Sequence, residues 1–152
     1  MNSEVIIFPY VSHFTLAYAI ALVIVAVIME VFNIDGGQGG SIGSLLAAVM
    51  YSVSTFVKDQ KRIPNTSERQ WLTWSSLIAS ILVSLILILG FLGFVNQLSL
   101  LKQLPILVSQ VGTGMIAGIT IFVLGLYALV LWFSYGWFAK MQYRALEKKG
   151  EI

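Results

Sequence analysis

Long apolar runs alternate with shorter polar segments along the chain, and this pattern predicts four membrane-spanning helices. The apolar runs cover residues 11–32, 41–57, 71–95 and 112–138. A helix needs roughly 20 residues to cross the hydrocarbon layer of a bilayer, so each run is close to the length of one span. The sequence therefore predicts an all-α integral membrane protein, a single transmembrane domain over residues 1–152 that is built from two helical hairpins.

The polar segments between the runs predict the connections. Residues 58–70 form the one long polar interruption and contain Pro64, which a helix interior does not tolerate. Thr66 or Ser67 is a candidate N-cap for the third helix, because Ser67 and Gln70 have the spacing of a capping box. Residues 99–112 are open to two interpretations, since they could extend the fourth span or lie flat at the membrane interface.

The basic residues predict how the chain is oriented. Eight of the nine fall in the segments 58–70 and 139–152, and Lys102 is the ninth. With four spans, these two segments and the N-terminus lie on one side, and the positive-inside rule places that side in the cytoplasm. A cluster of aromatic side chains predicts an interfacial belt at the same membrane face, formed by Trp71, Trp74, Trp132, Tyr135, Trp137 and Phe138.

The composition narrows the class of protein further. The chain is 58% hydrophobic and only 11% charged, whereas soluble domains carry about 25% charged residues. The net charge of +2 is spread between apolar runs, so we expect membrane lipids and no nucleic acid as partners. The chain has no cysteine and one histidine, His13, and we predict neither a metal site, nor a cofactor, nor an enzyme.

Small side chains recur at four- or seven-residue spacing in three of the predicted spans. In a bilayer, helices associate where small residues let their backbones approach closely. These strips therefore predict packing inside the bundle, an interface between subunits along span two or span four, or both, and they favour a homo-oligomer. The residues concerned are Gly40, Ser44 and Ala48 in span two, Ser76, Ser80 and Ser84 in span three, and Gly114, Gly118 and Gly125 in span four.

Glu30 is the acidic residue inside a predicted span, close to its end. It shares a helical face with three side chains suited to inward packing, those of Ala19, Val23 and Ala26. Acidic groups in spans usually face protein or water. Glu30 is thus a candidate interfacial anchor, a structural partner within the bundle, or a group that handles protons or a ligand. Asp35 and Lys102 are predicted on the same membrane side, and Lys102 is the basic residue there that could pair with either carboxylate.

The polar segment 58–70 carries four further candidate residues, Arg62, Pro64, Glu68 and Arg69. Its charges could serve membrane orientation alone or could also bind anionic lipid headgroups. The run from Phe56 to Arg69, FVKDQKRIPNTSER, resembles the AciT-like family of small four-span inner-membrane proteins of Gram-negative bacteria. This resemblance implies a homo-oligomer, a trimer, that supports envelope integrity in the inner membrane without a known reaction.

Two functions therefore follow as hypotheses. The first is a non-enzymatic, oligomeric inner-membrane protein that contributes to envelope maintenance or lipid homeostasis. The second is a small transporter or channel, because four short spans and a glutamate in the first of them resemble the small multidrug-resistance exporters. Glu30 departs from that pattern by lying near the end of its helix.

Overall fold

The computed structural model describes residues 6–33, 39–94, 101, 105 and 112–151. This part of the chain contains four long helices: α1, Phe8–Phe32; α2, Gly39–Gln60; α3, Thr66–Phe94; and α4, Thr113–Lys148. All four are long and apolar enough to cross a membrane. The prediction of an all-α chain with four candidate membrane spans is therefore confirmed.

The helices extend beyond the apolar runs that predicted them. The largest extension is in α4, whose 36 residues correspond to about 54 Å of helix, well over the roughly 30 Å of a hydrocarbon layer. Most of the basic segment 139–152, which follows the fourth apolar run, is the continuation of α4. Residues 99–112, which could extend the fourth span or lie at the membrane interface, are largely outside the described residues. Asp35 and Lys102 are also outside them.

The four helices pack as a ring in which α2 and α3 each contact both α1 and α4. The core is concentrated at the end of the bundle where α2 is connected to α3. Most of the largest fully buried side chains lie there, among them Phe14, Phe56, Leu72, Leu131 and Tyr135. This end is called the loop end below.

The opposite end of the bundle is open. Every fully buried residue of α4 lies at or after Leu131, and its first four turns expose large apolar side chains such as Phe122. Phe32 at the end of α1 and Phe94 at the end of α3 are also exposed, Phe94 by 90%. In a bilayer, lipid chains cover such surface at little cost, because the bilayer interior is as apolar as the side chains.

The small-residue strips of α2 and α3 pack inside the bundle. Ser44, Ala48, Ser76 and Ser80 are all buried. At Gly40 a Cβ atom would overlap the side chains of Val25 and Met29, so a larger residue would force these side chains of α1 to shift. Of the two predicted roles for these strips, packing inside the bundle and contact between subunits, the structure shows packing inside the bundle.

Candidate functional site at the loop end of the bundle

The connection between α2 and α3 is a short turn with a defined backbone path. Lys61 adopts a left-handed conformation (φ 49°), and its N–H donates to the Val57 carbonyl over 2.9 Å, which closes the last turn of α2. Pro64 follows, buried and without an N–H, two positions ahead of Thr66, the first residue of α3. This turn places Arg62 and Glu68 side by side.

The first turn of α3 is held by a reciprocal pair of hydrogen bonds between Asn65 and Glu68. The Glu68 N–H donates to Asn65 Oδ1, and the Asn65 N–H donates to Glu68 Oε2, both over 2.8 Å. This is a capping box in which Asn65 is the N-cap, so the prediction of Thr66 or Ser67 was wrong. Asn65 prevails because the partner three residues on is a carboxylate, which the positive end of the helix favours more than the amide of Gln70.

Arg62 and Glu68 form a bidentate ion pair beside this box. Arg62 Nη1 donates to Oε2 over 2.8 Å and Nη2 donates to Oε1 over 2.6 Å, and the guanidinium carbon lies 5.6 Å from the centre of the Phe56 ring. Glu68 precedes the apolar run that starts at Trp71. The Arg62 guanidinium is the main cause that holds the pKa of Glu68 below its ordinary value, and Glu68 raises the pKa of Arg62 in return. Both groups are therefore charged at neutral pH.

Arg69 connects α3 to α4. Its Nε donates to the Trp132 carbonyl over 2.8 Å, and its guanidinium carbon lies 3.9 Å from the centre of the Trp132 ring. Gly136, one turn further along α4, leaves the room for this side chain, since a Cβ atom there would lie 2.7 Å from the guanidinium. Burial lowers the pKa of Arg69, because desolvation disfavours its charged form.

Hydroxyl groups add hydrogen bonds between helices beneath these charges. Ser52 of α2 donates to the Tyr10 carbonyl of α1 over 2.8 Å, and Gln60 Nε2 donates to the Tyr10 hydroxyl over 3.1 Å. Ser76 of α3 and Tyr135 of α4 share a hydrogen bond of 2.6 Å. Because each bond joins two different helices, these residues fix how the helices sit against each other at the loop end.

The side chains of the predicted aromatic belt differ in exposure, and the fully buried Tyr135 does not fit the prediction. Trp71, Trp74 and Trp137 are each more than half exposed, as an interfacial belt requires. Tyr135 is fully buried instead, because Ser76 offers its hydroxyl a partner inside the bundle. Trp132 is partly buried and holds Arg69.

Glu30 lies away from this cluster, in the last turn of α1. It is exposed, as are Val23 and Ala26, so the inward-facing strip predicted for this part of α1 is wrong. The reason is that no described helix covers this face of α1, although α1 and α2 still contact each other at this end. Among the described residues the one ion pair is that of Arg62 with Glu68, so the pairings suggested for Glu30 stay predictions.

The charged and hydroxyl side chains at the loop end, those of Arg62, Glu68, Arg69, Ser52, Ser76 and Tyr135, connect helices and the loop to one another. They therefore stabilise the packing of the bundle. Within the described residues there is no group of three or more histidine or acidic residues that could hold a metal ion. The sequence indicated Arg62, Pro64, Glu68 and Arg69 as candidates, and the fold brings the ion pair and Arg69 to the same end. It did not indicate Asn65, Trp132 or Gly136 as their partners.

No protein-family model, curated protein or solved structure matches this chain.

Proposed function

We propose that this chain is an oligomeric integral protein of the bacterial inner membrane, which supports the envelope or its lipid balance and catalyses no reaction. In this proposal the four helices cross the membrane as two hairpins, and both termini lie in the cytoplasm. Eight of the nine basic residues of the chain then face the cytoplasm, as the positive-inside rule requires.

The observation that carries the proposal is the open glycine face of α4. Gly114, Gly118 and Gly125 lie within about 40° of one another around the helix. A Cβ atom at any of the three would meet nothing within 4 Å. The strips of α2 and α3 are occupied within the bundle, whereas α4 is open at these three glycines among the described residues. A second copy of the chain could approach closely there, which is how small-residue faces stabilise helix pairs in lipid.

The experiment is native mass spectrometry of the chain released from lipid nanodiscs. We expect a trimer for the wild type, and mainly monomer for Gly114→Leu combined with Gly118→Leu, because two leucines prevent close backbone contact. The matched control is Gly39→Leu with Gly43→Leu, two glycines of α2 that are equally open. A monomeric wild type would refute the oligomer, and dissociation by the control pair alone would move the interface to α2.

The alternative function, a small transporter or channel that uses Glu30, is a weaker proposal. A coupling carboxylate must be shielded from at least one side of the membrane. Glu30 is exposed in the last turn of α1, at the open end. Proton-driven uptake into vesicles that Glu30→Gln abolishes would favour this alternative over the structural role.

A further inference from the structure

The last three turns of α4 carry a groove on the side that faces away from the bundle. Ala139 and Leu146 are buried on the packed side. The groove has a volume of about 420 Å³, and its lining alternates apolar and basic side chains: Trp137, Lys140, Met141, Arg144, Ala145 and Lys148. These residues follow one another at three- and four-residue spacing, so they form one continuous helical face.

The charged side chains that line the groove are all positive. Lys140, Arg144 and Lys148 supply three positive charges, and no acidic residue lines the groove. Glu147 is exposed at the edge of the face, about 20° from Lys140 around the helix. The ligand that matches three cations is therefore an anion.

With Trp137 at the membrane interface, as the proposed topology has it, the groove lies at the height of the headgroup layer. Trp137 is 60% exposed and stacks on Phe138 with ring centres 5.5 Å apart, which holds its indole at the surface where indoles mark the edge of the hydrocarbon. Arg144 lies about 10 Å further along the helix axis. The headgroup layer on each side of a bilayer is roughly 5–8 Å thick, so Lys140 and Arg144 are placed at and just beyond the phosphates.

From these three observations we infer that the groove binds the headgroup of an anionic phospholipid of the cytoplasmic leaflet. Lys140 and Arg144 contact the phosphate and the polar headgroup attached to it, and Lys148 adds a third positive charge further from the membrane. Trp137 and Met141 contact the glycerol and the upper acyl chain. The inference rests on the membrane insertion of the proposed function. It adds to that function the class of lipid that is bound and the residues that select this lipid.

The test is a lipid titration of the detergent-solubilised full chain by native mass spectrometry. Dioleoyl phosphatidylglycerol is compared with dioleoyl phosphatidylcholine, which has the same acyl chains and no net charge. We expect tighter binding of phosphatidylglycerol to the wild type. Lys140→Gln with Arg144→Gln should weaken that binding roughly thirtyfold, since each basic residue near an anionic surface contributes about a fivefold factor.

The matched control is Lys58→Gln with Lys149→Gln. It removes the same charge from exposed positions that do not line the groove, and it should keep the preference for phosphatidylglycerol. Exchanging the two cations, Lys140→Arg with Arg144→Lys, should also keep it. A wild type without preference, an equal loss in both double variants, or a loss only in the control would each overturn the inference. The same spectra report the subunit number, so a failed lipid site and a failed oligomer are told apart.

Discussion

The guanidinium of Arg69 lies over the ring of Trp132, with 3.9 Å between its central carbon and the ring centre, while its Nε donates to the carbonyl of that same residue. One side chain of α3 thus contacts both the backbone and the side chain of a residue on α4. The contact depends on Gly136, whose missing Cβ leaves the space that the guanidinium occupies.

Replacing Gly136 by alanine should expose this dependence. In the wild type, Gly136→Ala displaces the guanidinium and should lower the free energy of unfolding by about 1 kcal/mol, because the lost hydrogen bond and ring contact outweigh the better helix propensity of alanine. With Arg69→Ala already present, the same change should raise the stability by up to about 1 kcal/mol. The measurement is a double-mutant cycle of unfolding in mixed micelles.

The control for this cycle is Gly90→Ala on α3, where a Cβ atom meets nothing within 4 Å. It should be neutral or stabilising in both backgrounds. If Gly136→Ala had the same effect with and without Arg69, the coupling of these two residues would be refuted.

The capping box predicts which residue of the loop matters for α3. Asn65→Ala should destabilise the protein by about 1 kcal/mol, since it leaves the Glu68 N–H without its acceptor. Ser67→Ala, at an exposed position inside the first turn, should change the stability little. Hydrogen exchange of the Glu68 amide measures the effect locally, and equal protection in the two variants would contradict the assignment of Asn65 as the cap.

The ion pair predicts a pH dependence of known sign. The pKa of Glu68 is lower in the folded chain than its ordinary value of 4.5, so the unfolded chain binds the proton more readily. The stabilisation is therefore complete well above pH 4.5 and is lost as the pH falls through the lower, folded-state value. Glu68→Gln should cost about 1–2 kcal/mol at pH 7 and progressively less as the pH falls below 4.5.

Asp59→Asn is the matched control for that titration, because Asp59 is an exposed carboxylate near the same loop without an ion pair among the described residues. The measurement is the free energy of unfolding of the wild type, Glu68→Gln and Asp59→Asn between pH 7 and pH 3. A cost of Glu68→Gln that stays constant over this range would show that the ion pair is not its source.

Thr73 offers a stabilising substitution. Its hydroxyl is buried and has no hydrogen-bond partner among the described residues, which is unfavourable for a polar group. Thr73→Val keeps the shape of the side chain and removes that group, so the unfolding temperature should rise. Ser76→Ala, three residues on, should lower it, because Ser76 is bonded to Tyr135. A lower unfolding temperature for Thr73→Val would mean that the hydroxyl has a partner after all.

The sequence predicts the four helices well, because a membrane span is a property of a long run summed over about 20 residues. The sequence does not predict the N-cap of α3, because two residue pairs have the spacing of a capping box: Asn65 with Glu68, and Ser67 with Gln70. It also fails where a partner belongs to another helix. Gly136 continues the helical face of Gly125, so the sequence alone could have indicated it as part of a small-residue face. Nothing near Gly136 in the sequence indicates that the Arg69 side chain of α3 lies where its Cβ atom would be.

The same limit applies to the direction in which single side chains face. Tyr135 stands among aromatic residues that suit an interface, and its burial depends on Ser76 of another helix. Glu30 follows small residues that suit inward packing, and its exposure depends on which face of α1 the neighbouring helices cover. In both cases the helical periodicity is correct, but the sequence does not indicate which face of the helix a neighbouring helix covers.

The most direct test of the proposed oligomer uses the absence of cysteine from the native sequence. A single Gly118→Cys substitution introduces one thiol on the open face of α4, and Gly43→Cys introduces one on the outer side of α2. Upon mild oxidation in native membranes, the account predicts a disulfide-linked dimer from Gly118→Cys and mainly uncrosslinked chain from Gly43→Cys. No dimer from Gly118→Cys, or equal amounts from both positions, would contradict an interface formed by the glycine face of α4.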